Sequence, residues 1–185
     1  MKSVIKEGLR YLVQIVFGCK CFDGRLASKV RTGMYRMAFG NCKMKYVGAK
    51  VLIHCCHLGL NATDAVTRPG VVRIGKSVCI GERTEIDYSG SVEIYDNVEI
   101  STDVKIFTHI HKLCSNRIAH DKSTIYSTKL VIEENATIGA EAIILPGVDK
   151  IGAGAVIDSG CIVTKNVGKE EHLKCADTLN MAIND

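Results

Sequence analysis

Two histidines one residue apart, His109 and His111 in "VKIFTHIH", have the clearest capacity for chemistry in this chain. An imidazole titrates near neutral pH, so a well-placed ring can take a proton from a hydroxyl in a reaction. A histidine after a strand also serves simply as a surface or hydrogen-bonding residue. A second group, "HCCH" at residues 54–57, has the residue types of a zinc site. Adjacent residues on a strand point to alternate faces, so four in a row do not converge on one tetrahedral ion, and no metal is expected. Isolated thiols in such a strand behave as small hydrophobes.

What positions the histidines is a repeat. Before them an aliphatic residue recurs every six positions at Ile74, Ile80, Ile86, Ile94, Ile100 and Ile106, with a two-residue slip at "YSGS". About twenty mostly polar residues follow the histidines. The beat then resumes at Ile132, Ile138, Ile144, Ile151, Ile157 and Val163, with one extra residue near Lys150. Six is neither a helical period nor a simple hairpin spacing. A short strand plus a tight turn uses six residues, and three such units return the chain to its starting edge. Stacked turns then form a parallel β-helix with the aliphatic side chains inward, of roughly four coils. Gly75, Gly81, Gly139 and Gly152 follow aliphatic positions, where a corner has little room for a side chain.

Composition agrees with one mainly β domain. The chain has 185 residues, 17 Gly, 2 Pro and no Trp, and its apolar residues are mostly strand-favouring Ile and Val. Residues 1–50 carry 11 Lys/Arg against Glu7 and Asp23, a balance of +9, while residues 51–185 balance at −5. The basic part has helical spacing in two stretches: Ile5, Leu9, Leu12 and Val16, then Val30, Met34 and Met37. Two short amphipathic helices are expected. Either their apolar stripes dock on the main domain, or the basic segment makes peripheral contact with a membrane. No run approaches the roughly 18 apolar residues that span a bilayer, and no cleavable signal peptide is convincing. Nine cysteines without a framework spacing point to free thiols in a reducing cytoplasm. The expected organisation is a basic helical segment over 1–44, a β-helix over 45–168 with an excursion loop at 110–129, and a tail at 169–185.

With these features in place, residues 70–167 resemble the hexapeptide-repeat acyltransferases, most of all their sugar and polysaccharide O-acetyltransferase branch. The branch includes maltose, galactoside and nodulation-factor acetyltransferases. The most specific segments are "VKIFTHIH" and "IGAEAIILPGVDKIGAGAVIDSGCIVTKNV". The resemblance implies a left-handed parallel β-helix, acetyl-CoA as acyl donor, a sugar or glycan acceptor, and a homotrimer with sites between subunits. No nucleic-acid partner is expected.

The resemblance also assigns residues. Counted from the valine that opens the strand, the family's catalytic histidine falls on the eighth residue, which is His111 from Val104. His109 is an alternative base, or a hydrogen-bonding neighbour. Asp87 in "EIDYSG" matches a position near the acceptor, and Arg117 in the loop is a candidate acceptor contact. Ala140, Ser159, Gly160, Thr164 and Lys165 match positions along the acetyl-CoA site, with Lys165 able to face a phosphate as a point charge. Two other functions stay open. One is acyl transfer to an amino sugar, serine or a xenobiotic. The other is a γ-carbonic-anhydrase-like zinc enzyme, for which only His109, His111 and His120 cluster in sequence.

Overall fold

The computed structural model describes residues 2–19, 24–40, 43–55, 70–111, 113–114, 117–118 and 125–175. From residue 46 the chain visits three parallel sheets in turn. The first sheet stacks β1 (Tyr46–Val47), β4 (Cys79–Ile80), β7 (Glu99–Ile100), β14 (Thr137–Ile138), β17 (Val156–Ile157) and β19 (His172–Leu173). The second stacks β2 (Leu52–His54), β5 (Glu85–Asp87), β8 (Lys105–Ile106), β15 (Ile143–Ile144) and β18 (Ile162–Val163). The third stacks β3 (Val72–Ile74), β6 (Val92–Ile94), β13 (Leu130–Ile132) and β16 (Lys150–Ile151). This is the parallel β-helix that the repeat predicts.

The register explains the stability. In the second sheet Ile86 lies opposite Ile106, Ile106 opposite Ile144, and Ile144 opposite Val163, all of them buried. Each such side chain contributes about 1.5–3 kcal/mol by leaving water. Close stacking requires bare corners. A Cβ on Gly139 would lie 2.4 Å from the Ser159 amide nitrogen, and one on Gly81 2.4 Å from the Ser101 carbonyl carbon.

The three edges of the prism are not alike. From the first sheet to the second, and from the third to the first, inward aliphatic residues are always six apart: Ile80 to Ile86, Ile94 to Ile100, Ile138 to Ile144. Every departure falls where the second sheet passes to the third. The spacing there is eight from Ile86 to Ile94, seven from Ile144 to Ile151 and twenty-six from Ile106 to Ile132. The excursion leaves by this edge. It begins with β9 (His109–His111), which pairs antiparallel with the returning β12 (Ile125–Ser127). Farther out, β10 (Leu113–Cys114) pairs with β11 (Arg117–Ile118).

Two helices, α1 (Lys2–Phe17) and α2 (Arg25–Ala38), cover the start of the β-helix. They dock through a mixed face, in which Val13, Tyr35 and Ala38 join the hydrophobic core and polar side chains cap the strand edge beside them. The first coil presents open strand edges, whose backbone groups need partners when covered. Gln14 accepts from the Ile53 amide, Thr32 Oγ1 accepts from the Val47 amide at 3.1 Å, and Arg31 Nε donates to the Val47 carbonyl at 3.1 Å. The Tyr35 hydroxyl donates to the Val51 carbonyl, and burial pushes its pKa up. Arg10 donates to the Ala38 carbonyl at 3.1 Å and lies over the Phe39 ring.

This corrects one expectation. The stripes proposed to dock do not face the β-helix: Leu9, Leu12 and Val16 on α1 and Val30 and Met37 on α2 are exposed, and only Met34 packs partly against the core. The side chain of Ile5 lies outside the described residues. Edge capping selects the face that carries Gln14, Arg31 and Thr32, because a wholly apolar face would leave the first coil's amides and carbonyls without partners.

Candidate active site

The irregular edge gathers the candidate chemistry. Asp87 ends β5 and is fully buried. One carboxylate oxygen accepts from the Ser89 amide at 3.0 Å and from the Ser89 hydroxyl. The other accepts from the Thr108 amide at 3.2 Å, the Thr108 hydroxyl at 3.3 Å and His109 Nδ1 at 2.6 Å. Burial by itself would raise the Asp87 pKa. The hydrogen bonds from the Ser89 hydroxyl, His109 and the two amides outweigh it and hold the carboxyl below its usual range. Asp87 is therefore an anion that can only accept, so Nδ1 of His109 carries a proton. In the neutral ring the basic nitrogen is then Nε2.

The same residues pin the neck of the excursion. The Thr108 hydroxyl shares its one proton between the carboxylate and the Asp87 carbonyl, the carbonyl lying closer at 3.0 Å, and accepts from the Gly90 amide at 2.9 Å. The returning strand closes against it, with the Thr128 amide donating to the Thr108 carbonyl at 2.8 Å and Ser127 opposite His109. The start of β9 is thus fixed by a buried anion and by two antiparallel partners.

His111 ends β9, opposite Ile125, and Arg117 lies on β11, opposite Cys114. Their side chains, and all of His120, lie outside the described residues. Asp87 and His109, expected near the acceptor, are brought into direct contact. Ser89 and Thr108 were not anticipated from the sequence. The signal was the coil length: Ile86 stacks on Ile106, so Asp87 must meet the residues just after Ile106.

A second polar cluster borders the first on the outer face of the second sheet. His54, opposite Asp87 in register, bonds Glu85 at 2.9 Å, and Lys105 pairs with Glu85 at 3.0 Å. Burial would raise the Glu85 pKa, but Lys105 and His54 more than offset it and keep the carboxyl low. The "HCCH" stretch therefore contributes His54 to an ion-pair cluster, while Cys56 and His57 lie outside the described residues. Among the described residues no three His, Cys, Asp or Glu side chains are grouped to hold a metal ion. Cys19, Cys55, Cys79, Cys161 and Cys175 form no disulfides.

The expected acetyl-CoA positions flank this same sheet. Ala140 and Gly160 stack at its entry edge, with the Gly160 amide donating to the Ala140 carbonyl at 2.8 Å beside exposed Ser159. Thr164 and Lys165 are exposed on the exit edge, the edge that carries Asp87 and Thr108. With about 4.8 Å between stacked strands, three coil steps separate Asp87 from Thr164 by roughly 14 Å. Lys165 forms no ion pair with a described residue.

Residues 129–165 match the family model described as "Hexapeptide repeat of succinyl-transferase". A galactoside O-acetyltransferase of Lactococcus lactis is 34% identical over 83 residues, 38% of this chain and 40% of that protein. The chain spans about two fifths or less of the length of the curated relatives it matches. Among solved structures, a hexapeptide-repeat acetyltransferase of Vibrio cholerae complexed with acetyl-CoA superimposes with a TM-score of 0.61 at 20% identity, over 91% of this chain and 81% of that one. A maltose O-acetyltransferase of Clostridium difficile does so with a TM-score of 0.55 at 22% identity, over 91% and 81%. Residues 129–165 thus carry the hexapeptide repeat, and the likeness to these structures shows the fold, a left-handed parallel β-helix.

Proposed function

We propose that the protein transfers an acetyl group from acetyl-CoA to a hydroxyl of a sugar in a surface polysaccharide or its precursor, with a histidine of β9 as general base. The observation that carries this reading is the buried Asp87 carboxylate holding His109 Nδ1 at 2.6 Å where the chain leaves the β-helix. It fixes a strand bearing two imidazoles on an outer edge of the prism, within reach of an acceptor. Partial likeness to a galactoside O-acetyltransferase supports a sugar hydroxyl over an amine.

Acetyl-CoA brings an activated acyl group as a thioester. The protein's part is to hold donor and acceptor together and to move one proton. The base takes the hydroxyl proton as the oxygen attacks the thioester carbonyl, and the thiolate of coenzyme A leaves. His111 is the base by the register of the resemblance. In this reading the Asp87–His109 pair is an anchor that sets the position of β9, and Arg117 is a contact for the acceptor. A second reading makes His109 the base. The bond from Asp87 favours it, because that bond leaves Nε2 as the basic nitrogen and stabilises a developing imidazolium.

Ala140, Ser159, Gly160, Thr164 and Lys165 hold the donor along the second sheet in this account. An edge site has only one wall, so we expect a homotrimer in which a neighbouring chain supplies the other. A stable, active monomer in light scattering would contradict that. In this proposal the reaction runs in the cytoplasm, the reducing compartment in which free thiols persist. Among the described residues no helix is long and apolar enough to cross a membrane. The function is tested by release of the coenzyme A thiol from acetyl-CoA with hexoses, amino sugars and serine as acceptors. Transfer to a sugar hydroxyl is expected. Transfer only to amines or serine, or to none of these acceptors, would overturn the reading.

A further inference from the structure

We propose that the two N-terminal helices form a docking surface for an anionic lipid bilayer. The first observation is the inversion of α1. Its docked side is Arg10, Val13 and Gln14, whereas Leu9, Tyr11, Leu12, Ile15 and Val16 face outward, with Ile15 64% exposed. From Gly8 to Cys19 no charged residue lies on that outward side. A soluble monomer rarely leaves so continuous an apolar face uncovered.

The second observation is the paired rows on α2. Leu26, Val30 and Met37 point outward, at up to 77% exposure for Leu26. Beside each of them in sequence stands a cation: Arg25, Lys29 and Arg36, all exposed. The spacings 25–29–36 and 26–30–37 run in step along a helix, so an apolar row lies against a basic row. This is the pattern of a helix lying in a membrane interface, with apolar side chains at the acyl boundary and Lys or Arg at the headgroups.

Charge selects the occupant. The helical segment belongs to the part of the chain that balances at +9. Lys29, Arg36 and Lys45, with the hydroxyls of Ser28, Thr32 and Tyr46, line a groove of about 300 Å³ whose wall holds no carboxylate. The Ser28 and Thr32 hydroxyls there donate to the Arg25 and Ser28 carbonyls, and Arg36 donates to the Met44 carbonyl, so Lys29 and Lys45 are the cations the groove offers a phosphodiester. A second copy of this chain docked on the face would set one basic row against another. An anionic leaflet complements the row, and each cation near its surface strengthens binding roughly fivefold.

The test is flotation of the full-length protein with vesicles. Phosphatidylglycerol–phosphatidylcholine vesicles should carry it up at low salt. Pure phosphatidylcholine should bind it at least tenfold less. Binding should vanish in about 1 M salt, where the Debye length is about 3 Å. Two double variants, Leu12→Glu with Ile15→Glu and Arg25→Glu with Lys29→Glu, change exposed residues only. Each should lower binding to anionic vesicles at least tenfold while leaving the light-scattering mass and acetyl transfer to a soluble acceptor unchanged. Failure of the wild-type protein to float at low salt would overturn the proposal, as would equal binding to neutral vesicles. A fall in assembly mass in the apolar variant would show instead that another copy of the chain covers the face.

Discussion

Asp87→Asn probes the site most sharply, because the amide keeps the shape and removes the charge. Five donor groups converge on the native carboxylate: the Ser89 amide and hydroxyl on one oxygen, and the Thr108 amide, the Thr108 hydroxyl and His109 Nδ1 on the other. Asparagine offers one accepting oxygen and one donating nitrogen. Hydroxyls can turn and the imidazole can switch tautomer, but the backbone amides cannot. Whichever way the side chain settles, the Ser89 or the Thr108 amide faces a donor and loses its partner. A buried orphan donor costs about 1–3 kcal/mol, and the lost charge-assisted bonds add to that, so a destabilisation of about 3 kcal/mol is expected. The pH profile gives a second readout. The Asp87 pKa is depressed in the folded protein, so its contribution is fully present above the unfolded value of about 3.9 and is lost as pH falls through the lower, folded value. The gap in melting temperature between wild type and variant should therefore be widest near neutral pH and close below about pH 4. Turnover should fall at least tenfold, because β9 loses its anchor. Equal melting curves and equal turnover at neutral pH would refute the argument.

Two further substitutions test the scaffold. Gly139→Ala places a methyl group 2.4 Å from the Ser159 amide nitrogen, where two coils stack, and should cost about 3 kcal/mol, seen as a fall of roughly 6–12 °C in melting temperature. Gln14→Ala should cost about 1–3 kcal/mol in denaturant unfolding by orphaning the Ile53 amide at the sheet edge, although an amphipathicity argument would treat position 14 as a minor polar site.

The β-helix was legible because its rule is local: an inward aliphatic residue every sixth position. The exceptions to the rule were equally informative. The slip at "YSGS", the extra residue near Lys150 and the break after Ile106 all lie on the edge that carries Asp87 and His109. The Asp87–His109 contact joins residues 22 apart, and it follows only once the coil is recognised as the unit that brings Ile86 against Ile106. The orientation of α1 and α2 was not legible. Helical spacing identifies the apolar stripe of Leu9, Leu12 and Val16, but not what that stripe meets. The deciding term was the set of open backbone groups on the first coil, which Gln14, Thr32 and Arg31 satisfy and which hydropathy does not record.

The central claim is that an imidazole on β9 removes the acceptor's proton. The most direct measurement compares His111→Ala and His109→Ala in coenzyme A thiol release with a competent sugar acceptor, at matched acetyl-CoA affinity and assembly mass. His111→Ala should lower turnover by roughly 10²–10⁴-fold, the range for loss of a general base, and should leave donor binding nearly unchanged. His109→Ala should cost less, through a loosened neck. A dead His109→Ala beside a nearly wild-type His111→Ala would move the base to the ring that Asp87 holds. Full activity in both variants would contradict the account.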